Sequence, residues 1–160
     1  MLYYTQFETI FWPIVLVGNE DGLVALHMLT KEGKRNFTIA ENWQRRDEMF
    51  AEAQEQVHEY LAGTREVFQL VLAPQGTEFQ KKVWNVLRQI EYGCTATYGH
   101  IAEKIGNPKA SRAVGMANSK NPLPLIIPCH RVVGANGKLT GYALGLEAKE
   151  RLLNLEKSIS

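Results

Sequence analysis

Cys129 stands in the run Asn121-Pro122-Leu123-Pro124-Leu125-Ile126-Ile127-Pro128-Cys129-His130-Arg131-Val132-Val133, directly behind an apolar stretch and between a proline and a histidine. A thiol flanked in this way is positioned, not merely packed. The reactive species is the thiolate, of which a free cysteine with a pKa of about 8.5 holds only a few per cent at neutral pH, so a neighbouring base is needed. His130 is adjacent in sequence. The other cysteine, Cys94, has no comparable surroundings and reads as a bland, partly buried thiol. About ten residues before Cys129 ends a stretch rich in Lys and Arg with helix-turn-helix spacing. A reactive sulfur beside a nucleic-acid-binding element points to chemistry on a base.

The elements that must position this sulfur fall in two halves. Leu2 to Thr9, Pro13 to Val17 and Leu23 to Leu29 read as short strands of an antiparallel meander, rich in β-branched and aromatic residues and broken by a turn from Gly18 to Gly22. From Asp47 to Leu61, Phe50, Ala53, Val57 and Leu61 recur at helical spacing, with Gly63 as a stop, and Val67 to Leu72 reads as a further strand. Ala73-Pro74-Gln75-Gly76 is the linker, dividing a domain over 1–72 from one over 77–160. In the second half Phe79, Val83, Leu87 and Ile90 form one face of a helix that starts at Thr77. Tyr98 to Ile105 and Lys109 to Ser119 make a helix pair around the turn Gly106-Asn107-Pro108. Asn136-Gly137 between Val132-Val133 and Leu139-Thr140 suggests a hairpin, the wing of a winged helix-turn-helix. Glu147 to Glu156 closes the chain as a helix with Ala148, Leu152 and Leu155 inward.

Composition narrows the class. With 45% hydrophobic and 22% charged residues, the chain is an ordinary globular protein and not a disordered one. The apolar stretch Ile10 to Val17 contains a proline and falls far short of the ~20 residues of a membrane span, so a cytoplasmic protein without membrane contact is expected. Two cysteines are too few for a disulfide framework, and no Cys/His cluster has zinc spacing, so no metal is expected. The net charge of +1 hides an asymmetry: residues 1–72 carry −5 and residues 73–160 carry +6. Lys and Arg gain affinity for a polyanion by releasing its condensed counterions, so only the second half suits DNA.

Pro128-Cys129-His130-Arg131-Val132, with Asn121-Pro122 and Ser111-Arg112-Ala113-Val114-Gly115 before it, resembles the O6-alkylguanine-DNA alkyltransferases. The resemblance runs without gaps from Gly76-Thr77-Glu78-Phe79-Gln80 through Thr97-Tyr98-Gly99 to Lys149-Glu150-Arg151-Leu152-Leu153, and Leu2-Tyr3-Tyr4-Thr5 adds a weaker match. It implies an α/β ribonuclease-H-like N-terminal domain and a mostly α winged helix-turn-helix C-terminal domain. It also implies a monomer without a cofactor that takes the alkyl group from O6-alkylguanine in double-stranded DNA onto Cys129, once and irreversibly, and leaves O4-alkylthymine an open second substrate. His130 is then the base acting through water, oriented by Glu156, and Asn121 braces the Cys129 segment. Tyr98 crowds the phosphate and contacts the flipped guanine, while Arg112 fills the vacated stack. Ala110, Ser111, Ala113, Gly115, Met116 and Asn118 complete the DNA-facing helix, where small residues suit a minor groove in which little sequence is legible. Met116 is bulkier than the family's usual residue, and Asn118 departs from it as well.

Val132, Tyr142, Ala143 and Leu144 line the substrate pocket in this alignment. Many relatives carry Gly where Leu144 stands, so a narrower pocket is expected. Glu91-Tyr92 replaces a common Ile-Pro, which reads as a matter of loop stiffness. Two rivals come from other classes. An alkyltransferase-like lesion sensor lacks the acceptor cysteine that is present here. A winged-helix transcription regulator that uses Cys129 to sense alkylation needs a sequence-specific operator and normally dimerisation, and the sequence shows neither a dimer segment nor an extra regulatory domain.

Overall fold

The computed structural model describes residues 1–31 and 37–157. Strands β1 (Tyr3–Phe7), β2 (Ile14–Asn19) and β3 (Gly22–Met28) form the expected antiparallel meander, and a short β4 (Gln44–Arg45) adds in parallel beside β1, giving the order β3-β2-β1-β4. β2 lies between β3 and β1, and its residues Ile14 to Val17 are buried irrespective of which face they point to, which explains an apolar run without alternation. A 3-10 turn over Asp47–Phe50 leads into α1 (Ala51–Leu61), with Thr5 donating to Asp47 at 2.7 Å. Val57, Tyr60 and Leu61 are buried on one side of α1.

The strand expected over Val67 to Leu72 does not form. Only an isolated bridge joins Leu72 to Leu23, and the backbone of Gln69 is satisfied by a side chain, donating to Gln56 Oε1 at 2.9 Å and accepting from Gln56 Nε2 at 3.2 Å. One glutamine amide offers the donor and acceptor that a neighbouring strand would have offered. Ala73 is still tied to Leu23, its N–H donating at 2.7 Å.

In the second half α2 (Glu78–Leu87) opens on a capping box: Gln80 N–H donates to Thr77 Oγ1, and Gln80 Oε1 accepts from Thr77 N–H. Helices α3 (Tyr98–Lys104) and α4 (Ser111–Ser119) pack on each other and on α2, where Trp84 Nε1 donates to Ala117 O at 2.9 Å. Gly106, at a φ of 81°, makes the corner between them. The hairpin expected around Asn136-Gly137 keeps its turn but not its strands. Gly134 N–H donates to Lys138 O at 2.9 Å, whereas β6 (Val132–Val133) pairs in parallel with β5 (Ala96–Thr97), just ahead of α3. Helix α5 (Leu146–Lys157) ends the described chain with Ala148 and Leu152 buried and Leu155 half-buried.

The halves share one apolar core. Leu26 N–H donates to Pro122 O at 2.8 Å, Thr30 Oγ1 donates to Leu144 O at 2.6 Å, and the Arg151 guanidinium lies 4.8 Å from the Phe11 ring centre. In the connection to Cys129, Leu125 is the single non-glycine residue with a positive φ (74°) among the described residues, and its side chain is fully buried. That backbone conformation costs a non-glycine residue roughly 1 to 2 kcal/mol, whereas truncating a buried leucine costs roughly 3 to 5 kcal/mol. Burial therefore outweighs strain. Leu125→Gly is expected to lower unfolding stability by about 2 kcal/mol or more in urea titrations, and a neutral or stabilised variant would show that strain dominates.

Candidate active site

Cys129 opens a 3-10 turn, Cys129–Arg131, and is buried. Prolines at 122, 124 and 128 forbid a helix or central strand through this segment, so its polar groups need other partners. Asn121 supplies them. Its Nδ2 donates to Ile127 O at 2.8 Å, its Oδ1 accepts from Leu123 N–H at 3.0 Å, and Cys129 N–H meets the same Ile127 carbonyl at 2.7 Å. The brace and the sulfur-bearing residue thus share one acceptor.

Behind Cys129 lies a buried charge cluster. Glu156 of α5 is 1% exposed, and its carboxylate accepts from His130 Nε2 at 2.8 Å, from Arg131 at 2.9 Å on each oxygen and from Tyr60 Oη at 2.5 Å. Gly93 N–H approaches at 3.4 Å. Burial by itself would raise the pKa of Glu156, but the hydrogen bonds from His130, Arg131 and Tyr60 outweigh it and hold it at about 2. An ionised carboxylate only accepts, so the His130 proton is on Nε2 and Nδ1 is left with its lone pair. That nitrogen has no protein partner among the described residues. Burial is also the main reason that His130 titrates below its ordinary range, against the opposing pull of Glu156, so the imidazole is neutral at pH 7. A neutral, oriented imidazole next to a thiol can take the thiol's proton.

Sequence reasoning brought His130, Glu156, Asn121 and Cys129 to one place but missed Tyr60, Arg131 and Lys149. Lys149 is fully buried, with Nζ donating to Val132 O at 2.5 Å and Thr140 O at 3.2 Å. Burial lowers its pKa, while attraction to Cys129 acts the other way. Its only advance sign was its place within a matching stretch. Tyr92, expected to affect loop stiffness alone, presents its ring to the Arg131 guanidinium at 5.7 Å and its edge to Tyr60.

Tyr142, Ala143 and Leu144 line a cavity at Cys129 together with Asn118, Asn121 and Pro124. The cavity measures about 20 Å³. Leu144 is also part of a larger cavity of about 350 Å³ between the halves, lined by Phe11, Trp12 and Arg151, so its residue forms the wall between the two. Val132 does not line the small cavity; it belongs to β6, where Lys149 takes its carbonyl. Tyr98 begins α3, with its ring facing Gly115 and its hydroxyl 3.1 Å from Thr140 Oγ1. On α4, Arg112, Ala113 and Met116 are exposed together, with Ala110, Ser111 and Gly115 half-buried at their edge. Asn118 corrects the expectation of a DNA-facing residue: one helical turn places it on the buried side, 5% exposed, against the Cys129 cavity. Among the described residues no group could hold a metal ion, and no helix is long and apolar enough to cross a membrane.

Residues 2–74 match the family described as 6-O-methylguanine DNA methyltransferase, ribonuclease-like domain, and residues 78–158 match its DNA binding domain. The chain is 54% identical over 157 residues to the methylated-DNA–protein-cysteine methyltransferase of Methanosarcina acetivorans, covering 98% of this chain and 99% of that protein. Among solved structures, the Mycobacterium tuberculosis OGT crystallised in complex with DNA superimposes with a TM-score of 0.89 at 42% identity, covering 99% of this chain and 94% of that one. An O6-methylguanine DNA methyltransferase from Methanococcus jannaschii gives a TM-score of 0.68 at 32% identity, with 96% and 93% covered.

The charge cluster sets the acid stability. Below its ordinary value of 6.5 an unfolded histidine takes up a proton that folded His130 resists, and below 4.5 an unfolded glutamate takes up one that Glu156 refuses until about 2. In both windows the unfolded state binds more protons, so stability falls as pH falls. Urea midpoints are expected to drop from pH 7 toward pH 3, and Glu156→Gln should flatten the part below pH 4.5. A midpoint that rises on acidification would contradict the assigned ionisation states.

Proposed function

Because the chain belongs to the O6-alkylguanine-DNA alkyltransferase family, we propose that the thiol buried at the mouth of the Glu156 cluster is the alkyl acceptor in its repair of alkylated DNA. The protein is a methylated-DNA–protein-cysteine S-methyltransferase that acts on DNA carrying O6-alkylguanine, in a single turnover. The observation that carries the acceptor assignment is the tautomer: Glu156 fixes the proton of His130 on Nε2 and leaves Nδ1 free to accept. The Cys129 proton passes through water to His130. The thiolate then attacks the alkyl carbon, the S–C bond forms as the C–O6 bond breaks, and the electron pair goes to the guanine oxygen. The proton held by His130 balances that charge. Lys149, whose ammonium attracts the thiolate, and Asn121 hold the segment still.

A base in a duplex does not reach a buried sulfur, so the nucleotide is rotated out. In our reading α3 and α4 are a helix-turn-helix, residues 73–76 are the linker before it, and the loop through Asn136-Gly137 serves as the wing. The α4 face of Arg112, Ala113 and Met116 enters the minor groove, with Arg112 in the vacated stack and Tyr98 beside the phosphate. A cavity of about 20 Å³ holds about one water, so the guanine enters only as the Gly141–Leu144 side gives way. The setting is the cytoplasm, and the protein works as a monomer.

Two experiments test this. Intact-mass and peptide analysis after mixing with an O6-methylguanine oligonucleotide is expected to show one methyl group on Cys129, and Cys129→Ala should lose transfer yet keep binding to DNA. Methyl on Cys94, or transfer by the alanine variant, sinks the assignment. Leu144 tests the pocket. Its side chain narrows the wall while its carbonyl, bonded to Thr30, remains in any substitution. Leu144→Gly should speed reaction with O6-benzylguanine far more than with O6-methylguanine in DNA, since ~1 Å of misplacement in a displacement costs about a hundredfold. Equal benzyl rates in both proteins would show that the Leu144 side chain does not limit the pocket.

A further inference from the structure

Tyr60 belongs to α1 in the N-terminal half, is fully buried, and yet reaches the catalytic cluster of the other half. Its hydroxyl lies 2.5 Å from Glu156 Oε2, and His130 Nε2 lies 2.8 Å from the same oxygen. The two donors stand 3.3 Å apart because they share one acceptor. We propose that Tyr60 is a positioning residue for alkyl transfer, its hydroxyl taking part of the Glu156 charge and thereby setting how strongly His130 holds a proton.

Tyr60 and His130 compete for one carboxylate oxygen. Each charge-assisted hydrogen bond to a carboxylate oxygen spreads its negative charge, and what Tyr60 takes is withdrawn from His130. With the phenol present, the imidazolium gains less from Glu156 and the base stays neutral at physiological pH. Besides Glu156 and the Cys129 thiol that precedes His130, three charged or titratable groups act on His130 or Tyr60. Arg131 faces Glu156, His130 and Tyr60, Lys149 faces His130, and Tyr92 touches Tyr60 edge-on at 6.3 Å. Arg131 and Lys149 both oppose a proton on His130, and both keep their charge in Tyr60→Phe, although Arg131 shares the Glu156 oxygen with Tyr60 and gains from its removal as His130 does. Phe68, the remaining ring against Tyr60, carries no charge. The N-terminal half thus contributes one hydroxyl to the proton relay besides covering the core.

The consequence for rate rests on His130 being the base, and the test separates the two claims. In the full chain labelled with 15N-histidine, with His130→Gln used to identify the signal, the titration midpoint of His130 is followed by NMR. Single-turnover transfer from an O6-methylguanine oligonucleotide is measured across the same pH range. Tyr60→Phe removes the donor, so the midpoint is expected to rise by roughly half a pH unit or more, carrying the acid limb of the rate profile with it. Replacing Tyr60 by 3-fluorotyrosine keeps the ring and makes a stronger donor, so the midpoint should fall; this variant decides the matter if the phenylalanine protein does not fold. A purely structural Tyr60 lowers the rate equally at every pH and leaves the midpoint where it was, and that result overturns the proposal. A midpoint that moves while the rate profile stays supports the coupling and removes His130 as the base.

Discussion

The structure depends on a carboxylate that has been taken out of water. A buried, ionised Glu156 is costly unless donors surround it, and removing one partner of such a set leaves an uncompensated charge. Every element near the site answers that demand. The turn after Cys129 supplies His130 and Arg131, α1 supplies Tyr60, and the loop before β5 supplies the Gly93 N–H. Arg131 also donates through Nη1 to Ile90 O at 2.7 Å, which ties the end of the α2 segment to the same cluster. The chemistry follows from this satisfaction: with Nε2 committed to Glu156, the His130 nitrogen left without a partner among the described residues is Nδ1, on the residue that follows Cys129.

The second constraint is backbone. A segment with prolines at 122, 124 and 128 cannot pair as a ladder, so Asn121 closes it from within and Leu125 accepts a left-handed conformation to keep its side chain in the core. The strain is local and the burial around it is complete. The segment is also joined to α4, which ends just before Asn121, through the Asn121 N–H donated to Asn118 O at 3.3 Å.

Legibility followed the range of the interactions. The meander, α2 and its cap, and the helix pair were readable because short-range patterns decide them: alternation or apolar runs for strands, helical spacing for helices, Thr77 with Gln80 for a start. Val67 to Leu72 had the residues of a strand but meets β3 only at the Leu72–Leu23 bridge, and no sequence pattern announces that the Gln56 amide satisfies Gln69. The hairpin failed for a related reason. Asn136-Gly137 makes the turn, but Val132-Val133 pairs instead with Ala96-Thr97, residues more than thirty positions away that no local pattern links to it. Of the site, the residues within the Cys129 run and the α5 glutamate came from resemblance to a family. Tyr60 came from neither source, because in α1 a tyrosine at helical spacing reads as one more apolar face residue.

The division of labour between the halves also follows from charge. The acidic N-terminal half is less suited to a polyanion than the basic C-terminal half, and what it adds to the Glu156 cluster is a neutral hydroxyl, reached through the shared core. A phenol suits that place: a second carboxylate beside Glu156 would repel it, and another cation would compete with Arg131 for its oxygens. An acceptor that is used once and never regenerated also has no product to release from its sulfur. Its segment can therefore be fixed as firmly as Asn121, the prolines and Lys149 fix it, while the Tyr142–Leu144 side of the cavity is tied to the N-terminal half by Thr30.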